Sequence, residues 1–149
     1  MLFPNKDLFG GNKGCHFNTK CYIQEDQDCR IDRAVYRIEC KTCLDRGDPP
    51  HIYLGTTGFN IHKRMTEHAA SVRAKSQHNA LAKHIRLTHN AEEAEFVTKC
   101  VKGGISFNLN RFILESLEIE EARIDPNVNL MNSRSEWGGR GIPRISITH

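Results

Sequence analysis

Arg33-Ala-Val-Tyr-Arg-Ile-Glu39 and, after a break, His51-Ile-Tyr-Leu-Gly55 are the two runs that decide how this chain folds. Both are rich in β-branched and aromatic residues, so both are predicted as strands. Between them, residues 40–50 include Gly47, Asp48, Pro49 and Pro50, a turn composition, so the two strands make a hairpin with a long loop. Working outward, residues 59–75 carry Ile61, Met65, Ala69 and Val72 at steps of four, four and three, one apolar face of a helix. Arg64 and His68 are four apart and share a different face of it. A second helix is predicted over 79–87, a third strand over 95–101, and a third helix over 109–122 with Leu109, Ile113 and Leu117 as its apolar stripe and Pro126 as its stop. The alternation of helices and strands predicts a small α+β or α/β/α sandwich.

At 149 residues the chain fits one domain, and 38% apolar with 26% charged residues is a globular composition. No apolar run approaches the ~18 residues of a membrane span, and no apolar segment follows Met1 as in a secretory signal. The net charge of +3 permits nucleic-acid binding without arguing for it. Six cysteines, Cys15, Cys21, Cys29, Cys40, Cys43 and Cys100, could be three disulfides of a secreted domain. Cys40-x-x-Cys43 is instead a metal-type spacing, and His84 and His89 offer imidazoles at a separation within the usual three to five intervening residues, which favours a reducing compartment. Residues five apart on a helix are about 140° out of line, so the second helix must end between the two histidines. Four such ligands make a closed structural zinc site. Cys15, His16, Cys21 and Cys29 match no standard template for a second site, and Cys100 reads as a small buried hydrophobe on its strand.

Ala34-Val35-Tyr36, then Tyr53-Leu54-Gly55, then Arg64, Glu115 and Asn129 occur in one order over residues 33–132. That order resembles the GIY-YIG nuclease family, with Ala34 where the first motif opens on glycine. The stretches Tyr53-Leu-Gly-Thr-Thr-Gly58, Glu67-His68, Ala80-Leu-Ala-Lys-His84 and Ile113-Leu-Glu115 are similar to the endonuclease domain of Penelope-like retroelements. In that branch a cysteine pair lies between the tyrosine motifs and two downstream histidines complete a zinc site, as Cys40, Cys43, His84 and His89 would here.

The resemblance implies an α+β fold with a small three-stranded antiparallel sheet flanked by helices, a loop-rich extension over 1–32, a nuclease domain over 33–132 and a tail over 133–149. It implies a DNA partner, fusion to a reverse transcriptase domain in a longer protein, no membrane, and an intracellular, nuclear location. The activity implied is metal-dependent nicking of DNA to leave a 3′-hydroxyl. Glu115 would anchor Mg²⁺ or Mn²⁺, Arg64 would hold the scissile phosphate, and His68 would contact phosphate or water. Tyr36 would activate the attacking water and Tyr53 would position it, although which phenol is the base stays open. Asn129 would brace the site, with Asn127 and Asn132 as alternatives. Lys63, Arg73, Lys75, Lys83, Arg86, Arg134 and Arg140 are candidates for the DNA backbone. Two readings from other classes stand beside this one: a catalytically silent zinc-stabilised DNA-binding module, and a disulfide-bonded secreted domain. Restriction, repair and homing enzymes of the same fold lack the cysteine pair between the tyrosine motifs.

Overall fold

The computed structural model describes residues 29–132. Strand β1 (Asp32–Cys40) runs into a one-turn helix α1 (Lys41–Asp45) and then β2 (His51–Asn60). Helices α2 (Ile61–Arg73) and α3 (Ala80–Thr88) follow, then β3 (Phe96–Lys102), α4 (Asn108–Ile124) and β4 (Asn129–Leu130). The sheet order is β3-β1-β2-β4. β1 pairs antiparallel with β2 and β3, and β4 pairs parallel with β2. The fold is therefore α+β as expected, but the sheet is four-stranded and mixed, not three-stranded and antiparallel. The cause is local. Asp125, which precedes Pro126, is extended, as sterics before proline favour, and α4 ends there. The chain then returns to the edge of β2, where the Asn129 N–H donates to the Pro50 carbonyl and the Met131 N–H to the Ile52 carbonyl, both at 2.7 Å.

Successive strand residues face opposite sides. Ala34, Tyr36, Ile38 and Cys40 of β1 and Tyr53 of β2 pack with Ile61, Met65, Ala69 and Val72 of α2 and with Leu81 and Ile85 of α3. Ile52 and Leu54 face the other way, onto Ile119 and Ala122 of α4. The α2 stripe expected from periodicity is fully buried. The stripe expected on α4 is not. Leu109 and Leu117 are 44% and 60% exposed, and the inward face is Arg111, Glu115, Ser116, Ile119 and Ala122. Ile119 and Ala122 match the apolar patch of β2, and they set the rotation of the whole helix. Glu115 lies one turn before Ile119 on this buried face.

Asparagines start both central helices. The Asn60 Oδ1 accepts from the Lys63 N–H, and the Asn79 Oδ1 accepts from the Leu81 and Ala82 N–H groups. The loop expected over 40–50 contains α1, because Cys40 caps it: its Sγ accepts from the Cys43 N–H. Strand β2 continues five residues past Gly55 along β1. Among residues assigned to the extension, Cys29 is buried in the larger core and its carbonyl accepts from the His62 N–H. Cys15, His16 and Cys21, and the tail with Arg134, Trp137 and Arg140, lie outside the described residues.

Candidate functional site

Two clusters hang from the same face of β1. The first lies where β1 ends. Cys40, Cys43, His84 and His89 are all buried and their ligand atoms all lie within 4.8 Å of one another. Each place follows from local structure. Cys40 ends β1 and caps α1, and one helical turn later Cys43 points back toward it. His84 is on the buried face of α3, and His89 is the residue that ends α3, which answers the misalignment expected of a five-residue spacing. The His89 Nε2 is 3.4 Å from the Cys40 Sγ, 3.5 Å from the Cys43 Sγ and 3.2 Å from the His84 Nε2, and the Cys43 Sγ is 3.5 Å from the His84 Nε2. A tetrahedral ion with zinc–sulfur and zinc–nitrogen bonds of ordinary length separates sulfur from nitrogen by about 3.6 Å and nitrogen from nitrogen by about 3.3 Å. The cluster has that shape.

The electrostatics agree with the shape. Burial, with His51 and His89 nearby, pushes His84 down to about 4, and burial with Arg46 and His51 lowers His89, so both imidazoles are neutral and able to ligate. Burial and the adjacent Cys40 push the Cys43 thiol up to about 12, a cost that a bound cation reverses. The two cysteines form no disulfide. These four residues could hold a metal ion, and the donor set suits zinc. His51 was not anticipated at this site. Its ring stacks on His84 with centroids 4.8 Å apart, and its buried Nδ1 has no hydrogen-bond partner among the described residues. The run His51-Ile-Tyr gave the strand but no sign that its first side chain would reach α3.

The second cluster centres on Tyr36, which is fully buried. Its hydroxyl lies 2.8 Å from the His68 Nε2 and accepts from the Arg64 Nε at 3.2 Å. The Tyr53 ring is 6.4 Å from that of Tyr36 and 5.5 Å from that of His68, edge-on to the imidazole. The i,i+4 spacing of Arg64 and His68 on α2 thus delivers both to one oxygen. Burial, and then the Arg64 charge, pushes His68 down to about 3, so the ring is neutral at ordinary pH. Burial works against the Arg64 charge, but Tyr36, Glu67 and Tyr53 outweigh it and hold the guanidinium above the usual arginine value. Arg64 also pairs with Glu67 at 3.0 Å, and about a third of its side chain remains open to solvent. The tyrosines meet because Tyr36 is paired across the hairpin with Gly55, and its ring lies over that glycine.

Of the residues expected to act together, Tyr36, Tyr53, Arg64 and His68 form this one cluster. Glu115 stands on α4, on the stripe that packs against Ile52 and Leu54, the residues flanking Tyr53 in sequence and facing the opposite side of the sheet. Beside it in the buried face is Arg111, which sequence reasoning passed over. Its guanidinium donates to the Ile105 carbonyl at 2.7 Å and to the Asn108 side chain, and the place where a Gly58 side chain would be is 3.4 Å from it. The available signal was its position one turn before Glu115. Asn129 contributes its backbone to β4, and its side chain is exposed. Of the three asparagines, Asn132 is the one whose amide pairs with a strand backbone: the Leu54 N–H donates to its Oδ1 at 2.9 Å, and its Nδ2 donates to the Leu54 carbonyl at 2.7 Å.

Lys63, Arg73, Lys75, Lys83 and Arg86 are all exposed. Lys63 lies over the Phe59 ring, and Lys75 and Arg86 flank an apolar groove between α2 and α3. Cys100 is half-buried at the margin of the larger core. No helix among the described residues is long and apolar enough to cross a membrane. Comparison with protein families, curated proteins and solved structures finds no match to this chain.

Proposed function

We propose that this chain is a divalent-metal-dependent DNA endonuclease domain of the GIY-YIG kind, most like that of a Penelope-like retroelement, with zinc at the Cys40–Cys43–His84–His89 cluster as a structural element. The single observation that carries the reading is the Tyr36 cluster. A guanidinium and a neutral imidazole converge on one buried phenol, a second phenol lies alongside, and the arginine is still reachable from solvent. Buried strand tyrosines in a plain core need one hydrogen bond, not an arginine and a histidine aimed at the same oxygen.

In this reading Tyr36 takes the proton of the attacking water, since donors to its oxygen favour the phenolate. Arg64 holds the phosphate oxygens with the face of its guanidinium that remains open. Tyr53 orients the water. By the resemblance alone, Glu115 would hold a cation, Mg²⁺ or Mn²⁺, to neutralise charge developing on the phosphate and leaving oxygen. Glu115 is 7% exposed, on the inward face of α4 one turn before Ile119. The product strand would keep a 3′-hydroxyl able to prime synthesis, in a nuclear protein that also carries a reverse transcriptase. Zinc would pin the start of α1 to the end of α3 and so hold β1 in place.

The test is incubation of zinc-loaded protein with supercoiled plasmid. Conversion to open circles should require Mg²⁺ or Mn²⁺ and should vanish in Arg64→Ala while salt-sensitive DNA binding survives. Binding without cleavage in either metal would leave the zinc-stabilised DNA-binding module in its place.

A further inference from the structure

Asn79 is spent twice. Its Oδ1 accepts from the Leu81 N–H at 2.9 Å and the Ala82 N–H at 3.1 Å, capping α3. Two backbone donors on one atom identify that atom as the oxygen, so the other end of the amide is the NH₂. That end lies 3.2 Å from the His68 Nδ1. An amide NH₂ can only donate. The His68 Nδ1 must therefore be the bare, accepting nitrogen, and a neutral imidazole then carries its proton on Nε2. The Nε2 is the atom 2.8 Å from the Tyr36 oxygen. Hence His68 donates to Tyr36 and does not accept from it.

We infer that Asn79 is a positioning residue: by capping α3 it locks His68 in the Nε2–H tautomer and makes the Tyr36 oxygen a double acceptor, from His68 and from Arg64. The opposite tautomer would present a lone pair to Tyr36, take the phenol proton in a hydrogen bond and hold Tyr36 in its acid form. The Asn79 tautomer does the reverse. Both donors strengthen when the oxygen becomes charged, so they favour the phenolate. Sequence → cap → tautomer → phenol acidity is one chain of cause, running from α3 through α2 to β1. Among the described residues, the titratable groups near the Tyr36 oxygen include Arg64 and His68 from α2, Tyr53 from β2, and Cys100 as the cross-strand neighbour on β3. Its catalytic meaning rests on the nuclease reading above, while the tautomer and the acidity do not.

The test needs no DNA. In ¹⁵N-histidine-labelled, zinc-loaded protein, long-range ¹H–¹⁵N spectra assign the proton of each ring, and His68→Gln identifies the His68 signals. The expected result is a protonated Nε2 and a bare Nδ1; a protonated Nδ1 overturns the inference without any variant. Next, Asn79→Ser retains a good helix cap while removing the NH₂. The alkaline rise of phenolate absorbance, read as a difference from Tyr36→Phe, isolates Tyr36 from Tyr22 and Tyr53. In Asn79→Ser it should lie above the wild-type value by about one pH unit or more. A variant that melts lower but keeps the wild-type tautomer and titration would reduce Asn79 to a cap alone. Loss of cleavage ability in the wild-type chain would remove the nuclease reading and leave these spectra as they are.

Discussion

Replacing Gly55 by alanine adds one methyl group, and the structure says where it goes. The Cβ would sit 2.5 Å from the Tyr36 hydroxyl oxygen, 2.6 Å from its Cζ and 3.0 Å from the Tyr53 ring. The first two distances are shorter than real Cβ atoms show, so something must move. A flexible side-chain end would yield at little cost, but Tyr36 is fully buried and its oxygen is tied to His68 and Arg64. Restoring ordinary contact at 3.4 Å requires a shift of about 1 Å in the ring end or in the strand pair. A shift of that size takes the 2.8 Å contact with His68 beyond hydrogen-bond range. Overpacking of this kind costs roughly 1–3 kcal/mol, and a lost buried hydrogen bond adds about 1 kcal/mol. Gly55→Ala should therefore lose roughly 2–4 kcal/mol in urea unfolding at an unchanged m-value, and the Tyr36 phenolate titration should move up as the His68 donor is lost. Serine at the same position should do the same. Wild-type stability together with an unchanged Tyr36 titration would show that the hairpin accommodates the methyl group without cost and refute the reasoning. The last residue of the Tyr-Leu-Gly motif is thus explained by space, not by a left-handed backbone.

Chelation of zinc-loaded protein should lower the melting temperature by at least about 10 °C, and Cys40→Ser or His84→Ala should do so without chelator, because the unfolded chain has no preformed site; elemental analysis should find one zinc per folded chain if only this cluster is filled. Acid should destabilise the fold through His68. Its folded value of about 3 lies below an unfolded value near 6.5, so the unfolded chain takes up the proton first. Full stability is present above pH 6.5; below it His68 contributes a loss of up to about 1.4 kcal/mol per pH unit, a share that His68→Gln should remove from urea titrations while the share of His84 and His89 remains. Glu115→Gln should abolish metal-dependent nicking at unchanged zinc content, whereas a nicking variant would take Glu115 out of the chemistry.

How far the sequence could be read depended on whether burial followed apolarity. Helix α2 announces itself because Ile61, Met65, Ala69 and Val72 are both apolar and inward. The Cys–His cluster is legible because metal ligation restricts spacing. On α4 the same method points outward, since periodicity ranks Leu109 and Leu117 above Arg111 and Glu115 and has no means of detecting a polar residue held inside by its partners. The last half of β2 escapes notice because Gly55 and Gly58, both poor strand formers, bracket it, and β1 recruits it by pairing; α1 and β4 are too short to carry any period. The Tyr36–His68 contact depends on a sheet packing on a helix, which no spacing along the chain encodes. The choice among Asn127, Asn129 and Asn132 was undecidable for the same reason, and the structure places the paired amide bonds on Asn132.

That paired amide has a further effect. The carboxamide of Asn132 stands in for a peptide group, donating to and accepting from Leu54 as a neighbouring strand would, and so extends the two-residue β4 by one more rung along β2. Without it, the Leu54 N–H and carbonyl at the margin of β2 would be left unsatisfied beside apolar side chains, the kind of edge on which chains join. The opposite margin, β3, carries Lys99 and Lys102, whose charges discourage such pairing. A recombinant fragment trimmed before Asn132 should therefore precipitate or self-associate, although every residue of both clusters would still be present.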